Sequence, residues 1–480
     1  MAELERQDIQ GILLSAYIHL SCAAYLLLRV EDAAAGRAWI SRIAGDITNA
    51  ERKQESWSLN IALSHSGLSH LGLDDDALAT FPIAFQEGVA SPKRSHILGD
   101  TNESAPAHWQ WGNEANPVDI VLMVFGADEK ALDEQLELRR AQIAASGGIV
   151  EVLALGAGRQ SDTREHFGFN DGIGQPVIEG SGRVKNQMER TGHATEIKPG
   201  EFILGYINEY GIPATSPTVD AARDPGNLLP EFQVHTDLRF EGQTTKRVHD
   251  LGRNGTYLVF RQLHQNVADF WNFLDEATRT PDGASDVAAR ERLAAKFVGR
   301  WRSGTPLVKS PNADSEAFNT DNDFGYAETD RHGFACPIGA HVRRCNPRDS
   351  IGDDPKSGLQ VANRHRLMRR GRLYGPRIAD MMVDDGAERG LHFLCVNTDI
   401  ERHFEFVQQT WINNPVFSGL NGEVDPLMGD QDNNSRTMTV QGDPLRVRIH
   451  GLRRFVTVKG GAYFFLPGLR ALRYLGNLPA

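Results

Sequence analysis

Tyr25-Leu-Leu-Leu-Arg29 and Tyr257-Leu-Val-Phe-Arg261 are two versions of one pattern, an apolar run closed by an arginine. Each is followed at the same offset by a helical pattern carrying a tryptophan, Trp39 and Trp271. A short apolar run reads as a buried strand, and the change of period behind it reads as a helix. A second strand-then-helix pair repeats in the same order. Ile120 to Phe125 precedes Asp128, and Leu391 to Val396 precedes Asp399, with each aspartate placed as a helix cap. Strands that alternate with helices and return antiparallel define an α+β fold built twice. The competing explanation is chance likeness between two common patterns. The expected division is an N-terminal half over 1–180, connecting loops over 181–250 and a C-terminal half over 251–480. The stretch Gly180 to Pro230, rich in Gly, Pro, Asn and charges, marks the connection.

The chain has 480 residues, 40% hydrophobic and 24% charged, enough to bury one large core or two moderate ones. A formal charge of -12 argues against a nucleic-acid partner, because no basic face dominates the long-range field. The local exception is Arg343 to Arg377, dense in arginine and suited to small anions. Gly11 to Val30 is fairly apolar but contains His19 and Arg29, which argues against a membrane helix. The four cysteines form no CxxC or CxxCH motif. Sparse cysteines and an acidic start without an export pattern point to the cytoplasm.

Three segments carry the chemistry. Phe167 to Gly180, FGFNDGIGQPVIEG, sets one carboxylate, Asp171, among turn glycines and ahead of Pro176, so that a rigid bend presents it. An ordinary Asp-Gly turn is the bland alternative. Cys336-Pro-Ile-Gly-Ala-His-Val-Arg-Arg-Cys-Asn-Pro-Arg-Asp349 sets His341 in an apolar approach followed by cations. Arg366-Leu-Met-Arg-Arg-Gly-Arg-Leu-Tyr-Gly375 is a second arginine cluster. The polar tract Arg302 to His332 either walls the site or is a surface insertion.

A GxxDG, an AHxRxxNPR and an RRGxxYG segment in this order resemble the dye-decolourising peroxidases, especially the longer C/D-type branch. Asp8-Ile-Gln-Gly11, Gly200 to Tyr206, Phe406 to Trp411 and Tyr463 to Pro467 extend the resemblance over nearly the whole chain. It implies duplicated ferredoxin-like halves with antiparallel sheets and peripheral helices. It also implies one haem b per chain in the C-terminal half, with H2O2 as oxidant and bulky dyes or phenols as donors, by way of a ferryl intermediate. His341 is then the iron ligand, and Asp425 the carboxylate behind it, with Glu423 as competitor. Arg343, Asn346 and Arg348 fall where the family contacts the cofactor and its propionates. Asp171 is the distal acid–base group and Arg369 the distal cation, with Arg370 its nearest competitor. Leu391 and Phe393, two apart on one strand, share a face, and the resemblance implies that they close the distal pocket, with plain core packing the alternative. The low intrinsic pKa of an aspartate is one rationale for the acidic optimum that the resemblance implies.

A haem-handling protein with little turnover is the alternative, and a haem-free binding module a third reading. Asp171 beside Arg369 separates the first two, since a carrier needs no distal acid–base group. The oligomeric state and the surface Trp or Tyr that relays electrons are left open.

Overall fold

The computed structural model describes residues 3–52, 54–182, 196–232, 247–431 and 434–478. Part of the expected connection 181–250 therefore lies outside the described residues. The N-terminal half runs β1 (Cys22–Val30), α1 (Ala33–Ile43), β2 (Trp57–Leu63), β3 (Ile120–Gly126), α2 (Glu129–Ala144) and β4 (Ile149–Gly158). The C-terminal half runs β5 (Thr256–Gln265), α3 (Val267–Thr278), β6 (Met368–Arg369), β7 (Arg372–Tyr374), β8 (Gly390–Asn397) and β9 (Val456–Leu466). Between β8 and β9 lie the π-helical turns Glu401–Glu405 and Val407–Ile412.

The sheet order is β6-β8-β7-β4-β1-β3-β2-β9-β5, and β5 also pairs with β8, which closes the sheet into a barrel. Within each half the order is the same. In the N-terminal half β1 lies between β4 and β3 with β2 outside β3, and in the C-terminal half β5 lies between β9 and β8 with β6 and β7 together outside β8, every pairing antiparallel. This is the duplicated arrangement expected from the paired YLLLR and YLVFR runs. The halves are joined by two narrow seams, Leu373 opposite Gly158 and Phe465 opposite Leu63.

Closure explains why those runs are apolar at every position. In β1, Tyr25 and Leu27 point into one buried cluster with Val121, Phe125, Phe260 and Phe464. Leu26 and Leu28 point the other way, into a cluster with Trp39, Leu122, Val259 and Trp271 under the helices. A strand covered on both faces has no position left for a polar side chain. The expected caps are present, with Asp128 accepting from Ala131 N at 2.8 Å and Asp399 from Arg402 N at 2.9 Å. No helix among the described residues is long and apolar enough to cross a membrane.

Candidate active site

His341 opens a five-residue helix, α4 (His341–Cys345). The helix is fixed by Arg344, which is fully buried and donates to the main-chain oxygens of Trp411, Asn414 and Glu423. His341 Nδ1 lies 2.9 Å from Asp425 Oδ2. The other oxygen of Asp425 accepts from Leu427 N at 2.9 Å and Met428 N at 2.8 Å. Burial opposes ionisation of Asp425, but His341 and these donors outweigh it and hold the carboxyl below its usual range. Burial likewise opposes charging of His341, and Asp425 with Cys345 pushes its pKa well above the usual value. With Nδ1 tied to Asp425, Nε2 is the ring nitrogen left to present. It meets only Cys345 Sγ, at 3.7 Å. Glu423, the competitor, accepts from the main-chain N of Thr439 at 2.7 Å and from its hydroxyl, so it serves Thr439 rather than His341.

Asp171 lies on a loop pinned at several points. Its own N–H donates to Thr163 O at 3.2 Å. Asn170 N donates to Arg302 O at 3.0 Å, and Asn170 Nδ2 to Ser303 O at 3.1 Å. Trp271 Nε1 donates to Phe167 O at 3.2 Å. Gly168 sits at φ +94°, a left-handed conformation that favours glycine. The tract from Arg302 onward thus walls the site. Asp171 Oδ1 accepts from Arg369 Nη1 at 3.0 Å and from Gly172 N at 2.6 Å. Burial would raise its pKa, yet Arg369, the Gly172 N–H and His341 together hold it below the usual value. A cavity of about 480 Å³ is lined by Asp171, Arg369, Leu391, Phe393, Glu165, Arg159, Arg164 and Thr320. Leu391 and Phe393 alternate with His392, which points to the opposite, buried side of β8.

The arginines sort differently from the sequence expectation. Arg343 is 3% exposed and stacks on Tyr326, and its donors go to Asp330 and the Cys336 main-chain oxygen. It therefore braces the loop before His341 instead of facing a cofactor. Arg348 also spends its donors on Asn322 and Phe324 and stacks on the Phe324 ring. Asn346 is partly exposed at the end of α4. Arg370 is buried, donating to Ile12 O and Leu13 O at 2.6 Å, whereas Arg369 keeps 32% of its side chain exposed toward the cavity. The residue that sequence reasoning missed is Arg366. Its recorded hydrogen bond goes to Gly174 O at 2.9 Å. Burial, then Arg348 and Arg369, push its pKa down to about 9. A desolvated arginine repelled by two others is a place for an anion.

His341 and Asp171 are both subject to strong desolvation, yet keep 27% and 40% of their side-chain surface. Groups of that kind face an internal space rather than bulk water. An imidazole nitrogen whose contact is the Cys345 thiol at 3.7 Å, the desolvated Arg366 and apolar Leu391 and Phe393 fit an iron porphyrin with its propionates. His341, Cys345 and Asp425 also lie close enough to hold a bare ion. The hydrogen bonds to both Asp425 oxygens account for that grouping without one.

The family model for the DyP dimeric alpha+beta barrel domain matches residues 25–159. A dye-decolorizing peroxidase of Mycena epipterygia is 30% identical over 93% of this chain and 82% of its own. An ancestral D-type dye-decolorizing peroxidase superposes with a TM-score of 0.77 at 26% identity, covering 98% of this chain and 99% of the other. A dye-decolorizing peroxidase in complex with 2,6-dimethoxyphenol superposes with a TM-score of 0.76 at 25% identity, covering 98% of both. The chain belongs to the dye-decolourising peroxidase family. It is an enzyme, a peroxidase that oxidises organic donors, and the family implies haem.

Proposed function

We propose that the enzyme binds one haem b per chain through His341 and uses H2O2 to oxidise dyes and phenols, of which 2,6-dimethoxyphenol, bound by one relative, is the type. The observation that carries this reading is the presence of two hydrogen-bonded pairs, His341 with Asp425 and Asp171 with Arg369, near enough for His341 to help keep Asp171 ionised. When bound, the haem supplies the iron that takes up peroxide and accepts and returns electrons. Asp425 keeps the proton on His341 Nδ1, which fixes the tautomer and makes Nε2 the stronger donor. Asp171 takes the proton from one peroxide oxygen and delivers it to the other, which then leaves as water. Arg369 holds Asp171 ionised and presents positive charge to the departing oxygen. Leu391 and Phe393 keep the pocket apolar and narrow, so bulky donors are oxidised from outside it. Arg366 is the propionate partner in place of Arg343 and Arg348. All four cysteines are free thiols, which supports a reducing compartment such as the cytoplasm.

The test is the absorption spectrum after haemin addition. A ferric Soret band that His341→Ala weakens or shifts is expected. An unchanged spectrum in that variant overturns the ligand assignment.

A further inference from the structure

Six residues before Asp171 lies a second carboxylate that the reaction above does not use. Glu165 lines the same cavity, and its two oxygens accept from the main-chain N–H groups of the loop it begins. Phe167 N donates to Oε2 and Phe169 N to Oε1, both at 2.9 Å. Its main chain completes the turn, with Glu165 N donating to Phe169 O and Gly168 N to Glu165 O, each at 2.9 Å. Across the loop, Gln265 at the end of β5 donates from Nε2 to Glu165 Oε2 at 2.7 Å. The amide oxygen of Gln265 is buried without a hydrogen-bond partner.

We propose that Glu165 and Gln265 form a proton-linked tether that positions Asp171, gripping the loop most firmly when Glu165 is ionised. The inference rests on the reading of Asp171 as the proton-transfer group. An ionised Glu165 satisfies both amides and the Gln265 NH2 at once. A neutral Glu165 must turn one oxygen into a donor, and the acceptor for it is the unused Gln265 oxygen, reached by a flip of the amide. That state leaves fewer lone pairs for Phe167 and Phe169. Burial, and further down the repulsion from Asp171, raise the Glu165 carboxyl to about 7, so both states are visited near neutrality. The charged groups on neighbouring elements are engaged elsewhere. Arg302 pairs with Glu291, Arg389 with Asp385, and His166 with Tyr374 O. His264, the neighbour of Gln265 on β5, has its pKa lowered by burial. Arg164, beside Glu165 in the chain, also lines the cavity.

The test uses Glu165→Gln, which retains one acceptor oxygen and mimics the neutral state, in the full-length haem-loaded enzyme. The first measurement is the rate of the spectral change on adding H2O2, from pH 5 to 8. The ratio of wild type to Glu165→Gln should be close to one at pH 5, where Glu165 is neutral in both, and should rise to roughly tenfold by pH 8, an effect of the size expected for a small misplacement of a catalytic group. In an Asp171→Asn background the ratio should stay near one throughout. A ratio that is constant across pH, or that persists without Asp171, overturns the proposal.

The second measurement needs no turnover. Corrected amide exchange at Phe167 and Phe169 should slow as pH rises through about 7 in wild type and show no such step in Glu165→Gln. If exchange is the same in both proteins, the tether is refuted whatever Asp171 does. If Asp171→Asn is silent while the exchange step is present, the reading of Asp171 falls and the tether stands. Should Glu165→Gln fold poorly, Gln265→Leu keeps the carboxylate and both amide bonds while removing the neutralising NH2. It should move the exchange step to higher pH, and an unmoved step counts against the proposal.

Discussion

Asp171→Asn is the substitution on which the distal assignment stands. Asparagine keeps the shape and leaves Oδ1 able to accept from Gly172 N, now 2.6 Å away, and from Arg369 Nη1 at 3.0 Å. Only the base is removed. General acid–base transfer contributes about 10²–10⁴-fold, which is about 2.7–5.4 kcal/mol at 1.36 kcal/mol per decade. Arg369 survives the substitution and loses the carboxylate that neutralised it, so its pull on the peroxide grows. The expected loss is therefore in the lower half of the range, about 10²–10³-fold. The sign of the pH dependence follows from the shift. Asp171 is held below its usual value, so its base form is present above that lowered pKa and is lost as pH falls through it. The ratio of wild type to Asp171→Asn should thus shrink as acid protonates Asp171, and the Glu165 tether should add a rise of up to roughly tenfold between pH 5 and 8. Stopped-flow absorbance of haem-loaded protein mixed with H2O2 measures it. A variant that reacts at the wild-type rate across this range would refute the base and leave Asp171 as a turn residue.

Arg369→Leu should slow the same reaction by about 10²-fold or more, since a transition-state contact of this kind is worth about 2.7–4 kcal/mol. Arg370→Leu should instead lower the melting temperature, because it strips donors from the Ile12 and Leu13 carbonyls, and the pair of variants compared in both assays checks the register. Asp425→Ala should weaken haem retention by about 10–100-fold in a titration followed by the Soret band. Arg366→Met should lower haem affinity by at least about tenfold, the worth of a charged hydrogen bond, while leaving the melting temperature of the haem-free protein unchanged or higher. That second half follows because the substitution removes a desolvated cation repelled by Arg348 and Arg369.

What could be read from the chain depended on whether the deciding contacts were local. The strands around Tyr25 and Tyr257, the caps Asp128 and Asp399 and the shared face of Leu391 and Phe393 follow from periods and offsets. Barrel closure does not, because it rests on single opposed residues, Leu373 with Gly158 and Phe465 with Leu63, which leave no pattern. The motif arginines are hard to sort for a related reason. A guanidinium aimed at a carbonyl and one aimed at an open cavity look alike in sequence, and only the fold shows that Arg343 and Arg348 donate to Asp330, Cys336, Asn322 and Phe324. Arg366 was overlooked because what distinguishes it is repulsion from Arg348 and Arg369, a property of the fold.

The site also explains why two halves must close for one reaction. Asp171 follows the last strand of the N-terminal half, whereas Arg369 and His341 belong to the C-terminal half. Neither half alone holds both members of the distal pair. The loop carrying Asp171 is braced by Thr163 and Glu165 of its own half and by Arg302, Ser303 and Trp271 of the far half. A carboxylate and a guanidinium brought together this way are mutually dependent, since Arg369 is the largest influence that keeps Asp171 ionised against burial. Loss of Arg369 would therefore remove the cation and also raise the pKa of the base. Arg369→Leu should accordingly carry a pH dependence opposite in sign to that of Asp171→Asn, its deficit deepening in acid, where the unsupported carboxyl takes up a proton. Equal deficits at all pH values would mean that burial and the Gly172 N–H alone set the state of Asp171.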